Sequence, residues 1–124
     1  MTRSEFGEGQ VIFNQGERSD RCYKVVHGAV EIRIASYGKS GVMRTVVAQT
    51  LGPGEVFGEM GIIDDAPRSA SAVAVKPTVC TTYTAAQIMN LLETEPKEAL
   101  AYIRTLLKRL RSKNVRVLVD SDRE

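Results

Sequence analysis

The sequence is poor in the residues that build metal centres and disulfide frameworks. Among its 124 residues there are one histidine and two cysteines. Cys22 and Cys80 lie far apart and form no CxxC pair, which predicts two inert thiols in a reducing cytoplasm and neither a disulfide nor a zinc site. A metal-dependent oxygenase or isomerase of the cupin type needs several histidines beside a carboxylate, so the composition argues against that class of enzyme.

Long apolar runs are also missing. No stretch approaches the roughly 20 apolar residues that cross a bilayer, and the N-terminal segment MTRSEFGEG lacks the apolar core of a signal peptide. The formal charge is +2, with 43% hydrophobic and 26% charged residues, which is the composition of an ordinary globular domain. We therefore expect one domain over residues 1–124, with no membrane segment within it.

The first 84 residues have the pattern of short strands separated by turns. Val30, Ile32 and Ile34 alternate with charged residues, which is the period of two expected of a strand with one buried face. Further strand candidates are VIF at residues 11–13 and the segments TVVAQTL, SASAVAV and TVCTTYT. Glycines separate these runs, often beside a polar residue or a proline. The pattern predicts an all-β sandwich or barrel.

After Thr84 the pattern is that of helices. AAQIMNLLE predicts a short helix at about residues 85–94. Pro96 suits the first turn of a longer helix at about residues 96–114, because its missing N–H would have no partner there in any case. The tail, residues 115–124, fits either a strand or a frayed helix end.

The longer predicted helix carries two distinct faces. Its apolar residues recur at spacings of three and four, and they are Leu100, Ile103, Leu107 and Leu110. This seam could be intramolecular core, a lid over a ligand or the contact of a homodimer. A second face is basic, with no acid from Arg104 to Arg116, and fits either a solvated surface or a contact for nucleic acid or anionic lipid.

The segment FGEMGIIDDAPRSASA, residues 57–72, places one acid and one base among small and apolar neighbours. Gly58 should break the preceding strand, and EMGIIDD is short enough for one or two helical turns before Pro67 stops them. Unpaired N–H groups at a helix start attract an anion, and the Arg68 guanidinium can fold back to the same place. Glu59 cannot hold an anion, but its carboxylate can accept hydrogen bonds from sugar hydroxyls. A phosphate and a sugar in one pocket indicate a nucleotide or a sugar phosphate.

The same residues also permit plainer interpretations. Glu59 and Arg68 could form a structural ion pair at a strand end. Asp64 and Asp65 fit a solvated loop better than a metal site, because no further acids cluster near them in the sequence. His27, which precedes a glycine, fits a surface turn.

Two motifs in this segment resemble the phosphate-binding cassette of cyclic nucleotide-binding domains. They are Phe57-Gly58-Glu59-Met60-Gly61 and Pro67-Arg68-Ser69-Ala70. Upstream, FGEGQVIFNQGERSDRCYKVVHGAVEIRI is similar to the opening strands of that family, and the resemblance covers roughly residues 6–110. Such domains are the β-roll modules of catabolite-activator-type regulators, protein kinase regulatory subunits and nucleotide-gated channels. The resemblance implies a mainly β fold, in which an antiparallel, jelly-roll-like β-roll at about residues 6–84 contains a short helix and precedes two α-helices.

The resemblance also implies roles for the motif residues. Glu59 would bind the ribose 2′-hydroxyl and Arg68 the cyclic phosphate, and Gly58 would be small because the ligand approaches the backbone. Backbone N–H groups of residues 58–60, and of Ser69 or Ala70, would help to hold the phosphate. The other ligand-contact residues in the motifs would be Phe57, Met60, Gly61 and Pro67. The cap over the base would be Tyr102, Ile103 or Leu106.

The expected protein is thus a non-enzymatic regulatory module that binds cAMP or cGMP without a metal and signals by movement of its C-terminal helices. cAMP is the first expectation, but the Ser69 hydroxyl suits either a phosphate or a guanine amino group and does not separate the two. We also expect a homodimer through the apolar seam, an output domain outside this chain and no direct DNA binding. The alternatives are a ligand-indifferent fragment of a transcription regulator that uses the basic helix 104–116, and a degenerate β-roll that serves only as a dimerisation scaffold.

Overall fold

The computed structural model describes residues 1–108. The chain divides into two compact units, Met1–Ile88 and Met89–Glu124. The strands of the described part are β1 (Thr2–Phe6), β2 (Val11–Phe13), β3 (Arg21–His27), β4 (Val30–Tyr37), β5 (Met43–Leu51), β6 (Val56–Phe57), β7 (Ser71–Ala74) and β8 (Thr78–Thr84). The helices are α1 (Met60–Ile63), α2 (Ala85–Thr94) and α3, which is described over residues 96–108.

The strands form two antiparallel sheets of four strands each. One sheet has the order β1-β8-β3-β6 and the other the order β2-β7-β4-β5. Most neighbours within a sheet are therefore distant in sequence, which is the arrangement of a jelly roll. The predicted β-roll, with a short helix inside the segment 57–72 and two helices after the last strand, is confirmed.

Both sheets contribute to one hydrophobic core, and aromatic rings mark the end of it that lies next to the segment 57–72. The rings of Tyr23 and Phe57 stack with centroids 5.2 Å apart. The Phe13 ring lies 6.1 Å from Tyr23 and 6.0 Å from Phe57, and Phe6 meets Tyr23 edge-on. We call these four residues the aromatic cluster. Because β2 and β6 belong to different sheets, Phe13 and Phe57 join the sheets where each of these strands ends.

The alternating pattern of β4 reflects burial only in its first half. Val30 is fully buried and Ile32 is partly buried, but Ile34 is 37% exposed. The far end of the β4–β5 hairpin extends beyond the core, since Tyr37 and Met43 pair there and are both largely exposed. Period-two spacing therefore predicted the strand correctly but not the extent of its buried face.

Helix α1 is a single turn, and it ends before the position that the sequence predicted. Asp64 is its C-terminal cap, with its N–H donating to the Met60 carbonyl at 3.1 Å. Asp65 has a φ of 53°, the left-handed conformation that commonly ends helices. The expectation that Pro67 stops the helix was wrong, because these two aspartates end it first. Both are exposed, as expected of a loop.

The second unit contains the end of α2 and all of the described part of α3. Pro96 is the first helical residue of α3, as predicted. Three residues of the predicted apolar seam are about half exposed, namely Leu100, Ile103 and Leu107. Leu110, the basic residues after Lys108 and the tail 115–124 lie outside the described residues. Within residues 1–108, no helix is long and apolar enough to cross a membrane.

The two cysteines are free and lie in the interior of the first unit. Burial raises the pKa of the Cys22 thiol to about 12, and the nearby Glu59 carboxylate adds to the shift. Burial raises the pKa of the Cys80 thiol to about 11. Both side chains are therefore neutral thiols at physiological pH and pack as small apolar groups.

We predict that neither thiol of the folded chain reacts with a thiol-specific disulfide reagent at pH 8, and that both react after unfolding in denaturant. The free energy of unfolding should also fall as the pH rises above about 9. The reason is that unfolded thiols ionise near the ordinary pKa of 9.0, whereas the folded thiols stay protonated until about pH 11 to 12.

The Cys22→Ala/Cys80→Ala double variant is the control, and its alkaline loss of stability should be smaller than that of the wild type. Rapid labelling of both thiols in the folded wild type would contradict the prediction.

Candidate functional site

The site lies at the junction of β6 and α1, where Gly58 makes a turn that favours glycine. Its φ is +83°, in the region that L side chains rarely adopt. A Cβ atom at this position would lie 2.7 Å from Nη1 of Arg68 and 3.2 Å from Cε2 of Phe13. Both the backbone conformation and the space around it therefore require glycine.

Glu59 is a buried carboxylate at the start of α1. It occupies the N-cap position, is only 3% exposed and makes no side-chain capping hydrogen bond. Its backbone carbonyl accepts hydrogen bonds from the N–H groups of Ile62 and Ile63, at 3.1 and 3.2 Å. Helix geometry leaves the N–H groups of Met60 and Gly61 without an acceptor inside the helix. The start of α1 thus combines an enclosed carboxylate with backbone donors.

Arg68 is the second buried charged residue, and 6% of the residue's surface is exposed. Nη1 donates to the Gly58 carbonyl and Nη2 to the Arg21 carbonyl, each at 2.6 Å. The guanidinium carbon Cζ lies 4.0 Å from the centroid of the Phe13 ring. Nε is buried and has no hydrogen-bond partner among residues 1–108. Two carbonyls and a ring therefore hold the guanidinium. Two of its five N–H donors are used in these hydrogen bonds, and the Nε–H is among those that remain for an acceptor.

Burial is the dominant electrostatic influence on this cation. Burial lowers the pKa of Arg68 from its usual value, and the neighbouring Tyr23 and Asp20 oppose that shift. An arginine guanidinium remains charged at neutral pH under such a shift. A buried cation held by neutral carbonyls gains from an anion that brings both charge and acceptor oxygens. Such an arrangement has the chemistry to accept an anion, such as a phosphate or a carboxylate.

The backbone of Arg68 is fixed by the loop at residues 14–20, which we call the β2–β3 loop. The Arg68 N–H donates to the Glu17 carbonyl, and the Gly16 N–H donates to the Arg68 carbonyl, both at 2.8 Å. The same loop packs against α1, since a Cβ at Gly61 would overlap the Ser19 side chain. The carbonyl of Asp20 accepts a hydrogen bond from the N–H of Ala85, the first residue of α2, at 3.2 Å. The loop therefore contacts Arg68, α1 and the beginning of α2.

The remaining predicted site residues fall into three groups. Phe57 and Ala70 are buried, and the Phe57 ring stacks in the aromatic cluster. Exposed side chains at the surface of the segment are those of Met60, Pro67 and Ser69. The predicted cap residues Tyr102, Ile103 and Leu106 lie on α3 in the second unit. The structure thus brings together Gly58, Glu59 and Arg68, and the role of the α3 residues stays a prediction.

Sequence reasoning missed the groups that hold Arg68 in place. Phe13 was assigned only to a strand, and the Arg21 carbonyl belongs to the backbone, which no side-chain motif reports. The sequence did offer one signal for these groups. The upstream stretch that contains Phe13, Gly16 and Arg21 resembles the same family as the segment 57–72. In the described part of the chain, no group of three or more His, Cys, Asp or Glu side chains is arranged to hold a metal ion.

The fold and the site together define a β-roll module in which a buried guanidinium and a buried carboxylate lie close to a glycine turn. Residues 3–95 match the family model of the cyclic nucleotide-binding domain. The chain belongs to the cyclic nucleotide-binding domain family. Domains of this family are usually non-catalytic regulatory modules, and some are joined to enzymes.

Related proteins agree with this assignment. The chain is 37% identical to the cyclic AMP receptor protein of Thermus thermophilus over 109 residues, which are 88% of this chain and 49% of the relative. It spans about half the length of the curated bacterial regulators that it matches.

Solved structures agree as well. The crystal structure of the Thermus thermophilus catabolite activator protein matches with a TM-score of 0.83 and 34% identity, over 97% of this chain and 55% of that chain. The EAL enzyme Bd1971, in its cAMP- and cyclic-di-GMP-bound form, matches with a TM-score of 0.69 and 33% identity, over 92% of this chain and 29% of that chain.

We predict that Gly58→Ala destabilises the protein more than Gly54→Ala does. Gly54 has a similar φ of +89°, but a Cβ there would meet nothing within 4 Å. Gly54→Ala should therefore cost only the left-handed conformation, about 1 kcal/mol. Gly58→Ala should cost about 2–4 kcal/mol, because it also displaces the Arg68 guanidinium and the Phe13 ring. Urea unfolding measures the free energy of unfolding of both variants. An equal decrease in the two variants would contradict the described packing.

Proposed function

We propose that this chain is a non-enzymatic regulatory domain that binds cAMP. The observation that carries the proposal is the buried Arg68 guanidinium, which lies against the Gly58 turn and keeps its Nε–H donor available. The similarity to a protein named as a cyclic AMP receptor, and to a structure solved with cAMP, supports this choice of ligand. cGMP is the second candidate, since another form of the same EAL enzyme contains it.

Arg68 would bind the cyclic phosphate. A cyclic phosphodiester carries one negative charge, which a single guanidinium balances, and its exocyclic oxygens can accept hydrogen bonds from the guanidinium edge. A linear monophosphate carries nearly two charges at neutral pH. The second charge would lie near the buried Glu59 carboxylate, which would repel it. The pocket should therefore prefer a cyclic over a linear nucleotide.

Glu59 would accept a hydrogen bond from the ribose 2′-hydroxyl. In a 3′,5′-cyclic nucleotide the 3′- and 5′-oxygens of the ribose are esterified to the phosphate. The 2′-hydroxyl is therefore the only hydroxyl donor left on the sugar. The carboxylate is buried at the start of α1, which suits it to this role. Backbone N–H groups of residues 58–60 and of Ser69 or Ala70 would complete the phosphate contacts, together with contacts from Phe57, Met60, Gly61 and Pro67.

Signalling would start from the β2–β3 loop. Phosphate binding at Arg68 would favour one position of this loop, which contacts Arg68 through Glu17 and α2 through Asp20. The shift of the C-terminal helices can be no larger than the ligand's difference in affinity between their states. Tyr102, Ile103 or Leu106 would cap the base, and Leu100, Ile103 and Leu107 would form a homodimer contact. The domain would act in the cytoplasm on an output domain outside this chain.

The proposal predicts that Arg68→Ala weakens cAMP binding about 10- to 100-fold, because a hydrogen-bonded charge pair in the pocket is lost. Isothermal titration calorimetry with cAMP, cGMP and 5′-AMP measures it. Arg33→Ala is the matched control, since Arg33 pairs with Glu31 on β4 at 2.8 Å and lies outside the cassette, and its affinity should stay within about twofold of wild type. Arg68→Lys keeps the charge but cannot bridge both carbonyls, and should also bind weakly.

Circular dichroism first establishes that each variant is folded at the temperature of the titration. Equal binding of 5′-AMP and cAMP by the wild type, or unchanged cAMP binding by folded Arg68→Ala, would contradict the proposal.

The role of Glu59 predicts a specific coupling to the sugar. Wild-type protein should bind 2′-deoxy-cAMP about tenfold more weakly than cAMP, because a hydrogen bond to a charged acceptor is lost. In Glu59→Gln the acceptor is neutral, so the ratio between the two ligands should shrink to about threefold or less. Competition titrations against a fluorescent cAMP analogue give both ratios. A ratio that is the same in wild type and variant would exclude Glu59 as the partner of the 2′-hydroxyl.

A further inference from the structure

We propose that Phe13 is a positioning residue that holds the Arg68 guanidinium for the ligand and thereby sets part of the ligand affinity. This inference rests on the proposed role of Arg68 in binding phosphate. Phe13 is the last residue of β2, lies outside the segment 57–72 and is 8% exposed. Its side chain touches no ligand in this account, and its effect would pass through Arg68.

The geometry places the ring where a guanidinium is attracted to it. Cζ of Arg68 lies 4.0 Å from the Phe13 centroid, inside the range of about 6 Å over which a cation is attracted to an aromatic face. The ring is itself held by its neighbours, Tyr23 at 6.1 Å and Phe57 at 6.0 Å between centroids. The aromatic cluster therefore fixes the position of the Phe13 ring, and the ring in turn fixes the position of the guanidinium.

A ring contributes something that the other neighbours of Arg68 do not. The carbonyls of Gly58 and Arg21 each take one N–H donor of the guanidinium. The negative face of the Phe13 ring stabilises the cation and excludes water without taking a donor. An aliphatic side chain would exclude water but not stabilise the charge, and a polar one would use a donor that the phosphate needs. Phenylalanine thus keeps Nε available while holding the guanidinium in place.

Pre-organisation explains how this contact raises affinity. A free arginine side chain loses rotamer freedom when it binds a ligand, and a side chain that is already held loses less. Cation–π contacts at partly buried sites correspond to about two- to thirtyfold in an equilibrium constant. The expected loss on removing the π face of Phe13 is therefore about three- to tenfold in cAMP affinity.

Fluorination of the ring tests the contact directly. Mono-, di- and trifluorophenylalanine, incorporated at position 13, withdraw charge from the ring face in steps with little change of shape. Affinity for cAMP should fall in the same steps, to about three- to tenfold below wild type. Phe6 is the matched control, because it belongs to the aromatic cluster and meets Tyr23 edge-on. The same substitutions there should leave affinity within about 1.5-fold. A flat series at position 13, or equal slopes at both positions, would overturn the proposal.

A double-mutant cycle separates this proposal from the proposed function. Phe13→Leu should weaken cAMP binding about three- to tenfold when Arg68 is present and less than twofold in the Arg68→Ala background. Unfolding of the ligand-free wild type, the two single variants and the double variant gives a second cycle. It should show a coupling of about threefold or more in the unfolding equilibrium constant.

If the wild type binds no cAMP, the proposed function fails, and the ligand-free coupling still decides whether Phe13 holds the guanidinium. Additive effects in both measurements would overturn the inference.

Discussion

The Arg68 guanidinium is taken out of water almost completely, and the elements around it are arranged to compensate for that burial. Moving an ion of this size into a protein interior costs several kcal/mol unless its donors and its charge are satisfied. The Gly58 carbonyl after β6 and the Arg21 carbonyl at the start of β3 accept two of its hydrogen bonds. The ring of Phe13, at the end of β2, makes a cation–π contact with the guanidinium. Strands from both sheets therefore meet at one cation.

Backbone hydrogen bonds connect Arg68, through the β2–β3 loop, to the first residue of α2. Glycine at position 58 leaves room for Nη1, and the aromatic cluster fixes the ring beneath the guanidinium. The backbone of Arg68 bonds to the β2–β3 loop, and that loop bonds to the first residue of α2. A ligand bound at Arg68 would act on this loop, and the proposed shift of population would begin there. The family assignment and this local geometry lead to the same proposal by separate routes.

Sequence patterns predicted the strands and helices well but predicted the contacts between them poorly. Period-two alternation, glycine spacing and Pro96 located most of the strands and the two C-terminal helices, because these signals are local. The segment 57–72 revealed Glu59 and Arg68, because charges stand out among small residues. The end of α1 was placed at Pro67 although Asp65 ends it earlier. Phe13 and the Arg21 carbonyl escaped notice because their contacts with Arg68 depend on the order of strands in two sheets, which no local pattern encodes.

Phosphate binding at Arg68 would give a partner to Nε, the buried donor that has no hydrogen-bond partner within residues 1–108. The most direct test is an NMR titration of the arginine Nε–H signals of isotope-labelled protein with cAMP, with the Arg68 signal assigned by its absence in Arg68→Lys. The account predicts that the Arg68 Nε–H signal shifts strongly downfield on saturation, because it gains a phosphate acceptor, while that of Arg33 stays in place. An Arg68 signal that does not move at saturating cAMP would contradict the claim that this guanidinium binds the phosphate.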